Sequence, residues 1–367
     1  MVKNQVITED YAIYCSDCMF VLPTIASESV DLAVYSPPFM SNSGKGLYQY
    51  SSHENDLSNN DNKESFLRQY EFIVEQMARV TKPGCINAVH CTDIVGYDGD
   101  LMDFPHEIKA LHKKYGFKHR ATVTISKEPL EVRRRTMVRS LMHKMIVEDC
   151  TEAYPTMPDY LLIFQKRGER YAPVTHPFGF THYAGSEPLL PHMVKALKGQ
   201  IPNLISEGVS MDEIDEQLAV FEALKKRYKN YDGDQIANRL SHNIWRRYAD
   251  SVWQDIRIGN VLPFQDAKED DDEKHVHPLQ LDVIDRVVEL YSNPGEVVLT
   301  PFMGVGSEVF CPVSMGRKAI GIELKESYFK QAIANMKEAN RRFDKASQSE
   351  MDFGEEKTDW VPVEAFD

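Results

Sequence analysis

Seven short runs rich in apolar and β-branched residues, each bounded by turn or helix signals, constrain the fold of this chain most strongly. These runs cover residues 11–14, 31–35, 85–90, 119–125, 159–164, 297–300 and 319–324. Helical periodicity separates several of them, over residues 64–80, 105–115, 279–291, 308–315 and 326–343. Because strands that alternate with helices favour parallel pairing, we expect an α/β fold with a mostly parallel, seven-stranded sheet.

The stretch from residue 167 to residue 250 interrupts this alternation. It is polar, charged and rich in helix-forming residues, which predicts a helical inserted module. A length of 367 residues agrees with this prediction, since it suggests two domains or one large domain with an insertion. Residues 346–367 have weak periodicity and many acids, so we expect them to form a mobile acidic tail.

The charge distribution bears on nucleic-acid binding. A net charge of −14 counts against it, because phosphate contacts need Lys and Arg. The acids are concentrated in residues 266–274 and 348–367, whereas residues 120–148 and 222–247 are basic. A local basic face is therefore compatible with the overall charge, although a solvated helix face explains the same clusters. The best candidates for phosphate contacts are Arg133, Arg134, Arg135 and Arg139.

The six cysteines are scattered along the chain, which favours a reducing, cytoplasmic setting over a disulfide scaffold. Cys15 and Cys18 form a C-x-x-C without a second pair at metal-ligand spacing, so we expect no metal site. We also expect no secretory signal and no membrane span, because the longest purely apolar stretch covers only residues 160–164.

A stiff turn, Ser36-Pro37-Pro38-Phe39, directly follows the run at 31–35. Consecutive prolines fix φ and remove two backbone donors, and the turn would lie at the carboxyl end of a strand, where open α/β sheets build their sites. The Ser36 hydroxyl and the Pro37 carbonyl can accept the N–H hydrogens of an exocyclic base amine, which frees the nitrogen lone pair. Phe39 offers a ring face for an extruded base. An ordinary strand-ending turn is the alternative.

A glycine-bearing turn over residues 300–307 follows the run at 297–300 and precedes a helical pattern. Gly304 and Gly306 permit positive φ and close approach of a ligand, and Ser307 is a plausible N-cap at a helix end that favours a carboxylate or phosphate. Glu323 ends the next run, where an acid can bind ribose hydroxyls. Val309 stands where a nicotinamide-binding turn has its third glycine, which argues against an oxidoreductase and for a nucleoside with an anionic end.

Together the two turns resemble the amino-methyltransferases of DNA, whose catalytic tetrapeptide is (D/N/S/T)-P-P-(Y/F/W) and whose cofactor loop is similar to D-P-F-x-G-x-G-T. The serine form resembles the cytosine-N4 enzymes more than the adenine-N6 enzymes, and the order of catalytic turn first and cofactor loop last resembles the permuted β class. Further segments that are similar to the family are residues 14–22, 75–84, 253–256, 277–280 and 320–328. The resemblance covers most of residues 11–166 and 235–343.

The resemblance implies a Rossmann-like fold that binds S-adenosylmethionine (SAM). The implied catalytic residues are Ser36, Pro37, Pro38 and Phe39. The implied SAM-binding residues are Asp17, His277, Pro278, Gln280, Thr300, Pro301, Phe302, Gly304, Gly306, Ser307 and Glu323. Thr300 departs from the family, which usually carries Asp at this place in contact with the methionyl amino group. The loss of the Asp charge at this place is expected to weaken the ion pair with the methionyl amino group.

The expected function is SAM-dependent methylation of a flipped base in double-stranded DNA, at cytosine N4 or, as the alternative, at adenine N6. Residues 1–166 and 251–345 would form the catalytic and SAM-binding halves of the methyltransferase domain, and residues 167–250 a target-recognition module. An inactive homologue that binds nucleic acid or protein is a further alternative, because of Thr300 and the acidic charge. A restriction endonuclease is a candidate partner, and the sequence determines neither the oligomeric state nor the recognition site.

Overall fold

The computed structural model describes residues 2–39, 55–60, 62–95, 101–136, 139–175, 190–215, 218–219, 245, 247–267 and 278–339. The chain divides into two compact units. The first combines both sides of the sequence, up to residue 175 and again from residue 251, and the second lies within residues 176–250. The predicted tail at 346–367 falls outside the described residues. No helix in the described part of the chain is long and apolar enough to cross a membrane.

A large mixed sheet dominates the first unit. The strands are β1 Asn4–Ile7, β2 Tyr11–Cys15, β3 Val30–Tyr35, β4 Thr81–Cys91, β5 Ile94–Val95, β6 Leu101–Met102, β7 Phe117–Ile125, β8 Asp159–Lys166, β9 Val252–Trp253, β10 Val297–Thr300 and β11 Lys318–Glu323. Nine of these described strands form one sheet in the order β1-β2-β11-β10-β3-β4-β8-β7-β9. β2, β11, β10, β3 and β4 are mutually parallel, whereas β1 and β8 run antiparallel to their neighbours. The predicted α/β class with a mostly parallel sheet is confirmed.

The predicted number of seven strands is wrong, because the sheet has two additional edge strands. All seven predicted runs are strands, but β1 and β9 carried no recognisable pattern. β1 has three exposed residues and one partly buried residue, so no buried apolar alternation marks it. β9 has two residues, too few to show any period. Each pairs with one neighbour at an end of the sheet, so the pairing creates the strand where local apolar content does not.

In the first unit, helices lie at the positions expected from periodicity. They span Cys18–Val21, Lys63–Val80, Phe104–Lys114, Pro129–Thr136, His143–Glu148, Leu281–Tyr291 and Ser307–Ser314, with a further helix over residues 326–339. The second unit contains the helix Leu190–Ser206 and a helix over residues 211–215. Short 3-10 helices lie at Leu22–Thr24, Leu57–Asn59, Arg139–Leu141, Cys150–Glu152 and Gln265–Ala267. The five predicted helices are present with boundaries displaced by one or two residues, up to residue 339 where the described part ends.

Apolar side chains cover both faces of the sheet, which leaves the strand ends as the accessible edges. Every residue of β3 is buried. On one face the helix Lys63–Val80 contributes Phe66 to the core, and on the other the helix Ser307–Ser314 contributes Phe310. Ligand sites in sheets of this kind lie beyond the carboxyl ends of the parallel strands.

Candidate active site

A cavity of about 400 Å³ lies at the carboxyl ends of the parallel strands of the first unit. Four segments that are far apart in sequence line it: Asp17 after β2, residues 36–39 after β3, residues 301–305 after β10 and Glu323 at the end of β11. They meet because neighbouring parallel strands end at the same edge of the sheet. The proline turn and the glycine turn therefore belong to one site.

The proline turn forms one wall of this cavity. Ser36, Pro37, Pro38 and Phe39 all line it, with Pro37 buried and the other three partly exposed. The Phe39 ring also packs against Phe104 of the core, with ring centroids 6.5 Å apart. The contact, with the ring planes tilted by 55°, anchors the Phe39 ring to the core.

A buried hydrogen-bonded network holds the strand end that carries Ser36. The Tyr35 hydroxyl lies 3.1 Å from His112 Nε2 and 3.4 Å from the Tyr70 hydroxyl. His112 Nδ1 lies 2.8 Å from the Ile108 carbonyl oxygen, so Nδ1 donates there and Nε2 accepts from Tyr35. Burial lowers the pKa of His112 to about 4, which keeps the ring neutral at neutral pH. The residue immediately before Ser36 is thus fixed on two sides.

A polar chain that sequence reasoning missed leads from Ser36 into the sheet. Ser36 Oγ lies 3.5 Å from His90 Nδ1, and His90 Nε2 lies 3.3 Å from Asp159 Oδ2. The second contact does not meet hydrogen-bond geometry, so Asp159 acts on the His90 ring through the negative charge of its carboxylate. Lys127 Nζ reaches the other oxygen of Asp159 at 2.5 Å. Burial by itself would raise the pKa of Asp159, but His90 and Lys127 together hold it below its usual value.

Strand pairing explains why this chain of residues forms. His90 lies near the carboxyl end of β4, and Asp159 is the first residue of β8. The two strands are antiparallel neighbours, with His90 opposite Leu161, so both residues lie at the edge where the cavity opens. The sequence does contain a signal, because His90 ends one apolar run and Asp159 begins a later one. The sequence did not show that these runs are adjacent.

The glycine turn adopts the backbone conformation expected from its residues. Gly304 and Gly306 have φ values of 55° and 98°. Gly306 is the N-cap of the following helix, so Ser307, expected as the cap, is instead the first helical residue. A Cβ on Gly306 would lie 3.1 Å from the Ala332 Cβ, which leaves little room for any other residue. Ser307 Oγ is buried at the cavity and has no hydrogen-bond partner within the described part of the chain.

Acidic side chains surround the cavity. Asp17 caps the short helix that follows it. Glu323 accepts the backbone N–H groups of Gly304 and Lys325, each at 2.8 Å. Burial nevertheless raises the pKa of Glu323 to about 7. Glu308 also lines the cavity and is buried, although its place in the first turn of a helix carried no functional signal in the sequence.

The remaining predicted SAM-binding residues fall into three groups. Those that line the cavity are Pro278, Pro301, Phe302, Gly304 and Ser307. Those that do not line it are Gln280, Thr300 and Gly306. His277 lies outside the described residues. Thr300 is fully buried, and its Oγ1 lies 3.4 Å from the backbone nitrogen of Phe302.

The predicted phosphate-contact residues lie on two short helices, and Arg133 and Arg134 are not among the residues that line the cavity. Arg133, Arg134 and Arg135 belong to the helix Pro129–Thr136, and Arg139 begins the 3-10 helix Arg139–Leu141. Arg133 is partly exposed and Arg134 is exposed.

Residues 30–334 match the family model of the DNA methylases, N6/N4 type, over more than half of the chain. The DNA adenine methyltransferase YhdJ of Escherichia coli (strain K12) is 36% identical over 91 residues, which make up 24% of this chain and 29% of that protein. The type II methyltransferase M1.MboII of Moraxella bovis is 35% identical over 68 residues, 18% of this chain and 26% of that protein. The alignments thus span less than a third of either relative.

A solved structure shares the fold over nearly the whole chain. It is that of the DNA modification methylase TTHA0409 from Thermus thermophilus, in complex with S-adenosyl-L-methionine. The TM-score is 0.51 and the sequence identity 18%, over 91% of this chain and 96% of that chain. At this identity the likeness establishes the architecture, and the predicted Rossmann-like methyltransferase fold is confirmed.

Proposed function

Since the chain belongs to the DNA methylase family, we propose that it is a SAM-dependent DNA methyltransferase that methylates the exocyclic amine of a flipped base, with cytosine N4 as the target. The observation that carries the proposal is the shared cavity. Its walls combine the Ser36–Phe39 turn, which suits an amine and a base ring, with the glycine turn, which suits a nucleoside.

The residues around the glycine turn fit SAM. Ser307 offers a buried hydroxyl without a partner in the described chain, at a helix N-terminus that favours a carboxylate. Glu323 stands at a strand end, where a carboxylate can accept from ribose hydroxyls. Gly304 has no atom within 4 Å of the place where a Cβ would lie, so its backbone is open to a ligand. When bound, SAM supplies an electrophilic methyl group.

The proline turn prepares the base amine for attack. An exocyclic amine is a poor nucleophile, because its lone pair is delocalised into the ring. In the proposed complex the Ser36 oxygen and the Pro37 carbonyl accept its two N–H groups and stabilise the developing positive charge. The Phe39 ring, supported by Phe104, stacks on the extruded base. No covalent enzyme intermediate is required.

His90 acts in this scheme as a positioning residue for Ser36. The carboxylate of Asp159 near Nε2 favours the proton on that nitrogen, which leaves Nδ1 to accept from the Ser36 hydroxyl. A hydroxyl that donates to His90 keeps its oxygen lone pairs for the amine of the base.

Methyl transfer to DNA tests the proposal directly. Purified protein is incubated with methyl-labelled SAM and unmethylated double-stranded DNA, and the DNA is digested to nucleosides and analysed by mass. We expect the label in N4-methylcytosine, since the serine form of the turn resembles that of the cytosine-N4 enzymes more than that of the adenine-N6 enzymes. Label in N6-methyladenine would agree with the proposed mechanism but would contradict cytosine as the target base. DNA that stays unlabelled would contradict the proposed activity.

Adenine N6 is the second candidate target. One relative that matches part of this chain is named a DNA adenine methyltransferase. The same two acceptors and the same stacking ring would serve an adenine amine, so the cavity chemistry does not choose between the bases.

We further propose that Arg133, Arg134, Arg135 and Arg139 contact DNA phosphates. Replacing all four with alanine is expected to weaken DNA binding and to flatten the slope of log K against log salt by roughly 3–4 units, because each lost phosphate contact removes about 0.9. Fluorescence anisotropy at several salt concentrations measures this slope. A double alanine variant of the exposed Lys330 and Lys337 measures how much the slope changes for each positive charge removed elsewhere on the surface. A slope equal to that of the wild type would rule the role out.

The predicted module at 167–250 is proposed to recognise the target sequence, and the separate unit within residues 176–250 supports this. A restriction endonuclease partner is proposed because one relative is a type II methyltransferase. The six free cysteines support a cytoplasmic location.

A further inference from the structure

A buried carboxylate without a cationic partner lines the cavity beside the glycine turn. Glu308 is the second residue of the helix Ser307–Ser314 and is 5% exposed. No Lys, Arg or His of the described chain forms an ion pair with its carboxylate. Burial of an ionised carboxylate is costly unless a positive group compensates it. Lys325 also lines the cavity but forms no ion pair with Glu308, so a ligand is the remaining source of that charge.

The other acids that line the cavity already have donors. Asp17 Oδ2 accepts from the Asn55 amide at 3.0 Å. Asp56 Oδ1 accepts from the backbone N–H and the hydroxyl of Ser58, at 2.9 and 2.7 Å. Both oxygens of Glu323 accept backbone N–H groups. Glu308 is therefore the cavity acid with the greatest unused acceptor capacity.

The neighbours of Glu308 define the rest of the ligand. Ser307 Oγ is buried, lines the same cavity and lacks a partner in the described chain, and it lies at a helix N-terminus. A site that favours an anion thus lies next to an acid that favours a cation. This pair complements the carboxylate and the ammonium group of an α-amino acid. Thr300 does not contribute to this region, since it is fully buried and absent from the cavity lining.

We infer that Glu308 binds the ammonium group of the methionine end of SAM, while Ser307 and the helix N-terminus bind its carboxylate. This inference rests on the proposed function, because it requires SAM in this cavity. It assigns to the helix after the glycine turn the ion pair for which the family usually has Asp at the place of Thr300.

Stability of the ligand-free protein provides an independent readout. Burial, and then the charge of Glu323, raise the pKa of Glu308 from 4.5 to about 8. A raised pKa means that the folded state loses stability as the pH increases from about 4.5 through 8. Glu308→Gln removes this cost and keeps the shape, so we expect its melting temperature to exceed that of the wild type by several degrees at pH 8 and to differ little at pH 5. The other charged groups of the cavity, Asp17, Asp56, Glu323 and Lys325, are the same in both proteins.

Calorimetric titration at pH 8 tests the ion pair. The probes are S-adenosylhomocysteine and its analogue in which hydrogen replaces the amino group. Glu308→Gln is expected to weaken S-adenosylhomocysteine binding by roughly 10-fold or more, as loss of a charge-assisted hydrogen bond does, and to leave the Kd of the analogue within about 2-fold. Glu326→Gln is the matched control, because Glu326 is exposed and lies outside the cavity lining.

The outcomes separate the two proposals. If the wild-type protein binds neither SAM nor S-adenosylhomocysteine, both are overturned. Two results would overturn only the assignment of Glu308, provided that the wild type binds S-adenosylhomocysteine. In the first, Glu308→Gln binds S-adenosylhomocysteine as tightly as the wild type does. In the second, the substitution weakens binding of the analogue by the same factor as binding of S-adenosylhomocysteine. Should the glutamine variant show no cooperative unfolding, Glu308→Asp replaces it. The shortened carboxylate is then expected to weaken binding of S-adenosylhomocysteine more than binding of the analogue. Equal weakening of the two ligands would overturn the assignment.

Discussion

Replacement of Ser36 with alanine is expected to lower the rate of methyl transfer by about 10²–10³-fold, with the Kd for SAM within about 2-fold of the wild type. The reason is that Ser36 acts on the base amine as charge develops, and removal of one preorganised hydrogen-bonding group from such a site costs a factor of this size. Single-turnover transfer from labelled SAM to DNA measures the rate, and calorimetry measures cofactor binding.

Ser29→Ala is the matched control for this experiment. Ser29 lies just before the opposite end of β3, where its hydroxyl donates to the Ala26 carbonyl at 2.7 Å, far along the strand from the cavity. It should leave the transfer rate unchanged. A Ser36→Ala enzyme with the wild-type rate would show that the turn positions the base through its backbone and ring alone.

Asp159→Ala is expected to reduce the free energy of unfolding by about 3 kcal/mol or more. Removal of one member of a buried charge cluster typically costs about 3–5 kcal/mol, because the remaining charges keep their desolvation without their partner. Asp159 is 5% exposed, and Lys127 Nζ and His90 Nε2 both lie close to its carboxylate. The partial exposure of Lys127 places the estimate at the lower end. Urea unfolding at pH 7 measures the loss.

Acid pH and a milder substitution distinguish this cause from a simple packing defect. The pKa of Asp159 is lowered, so its contribution is present above the usual carboxyl pKa and is lost as the pH falls through the lowered value. The difference between wild type and Asp159→Ala should therefore shrink at acid pH. Asp159→Asn keeps an acceptor for Lys127 and should lose less stability. A difference that is independent of pH, and equal for both variants, would contradict the charge explanation.

The same variants report on the role of His90. Asp159 does not line the cavity, so SAM affinity should stay unchanged in Asp159→Asn. The transfer rate should fall, because His90 then lacks the carboxylate that favours its proton on Nε2. A purely structural role of Asp159 does not predict a lower rate of methyl transfer together with an unchanged Kd for SAM.

Local signals in the sequence were sufficient for the elements and for the two turns. Apolar runs, helical periodicity, paired prolines and spaced glycines each act within a few residues, so they can be recognised without knowledge of the fold. They determined the α/β class, the central strands, the helices, and the Ser36–Phe39 and 300–307 turns. They also led to the family, and hence to SAM and a DNA substrate.

Only the tertiary structure decided which residues meet at the strand edge. The edge strands β1 and β9 exist because a neighbour pairs with them, and neither has a local pattern. His90 reaches Asp159 because β4 and β8 are antiparallel neighbours, an adjacency that no local signal encodes. Side-chain direction is likewise a property of the packed sheet. It buries Thr300 within the strand and places Glu308 at the cavity, so the carboxylate that we propose for the ammonium group of SAM comes from the helix.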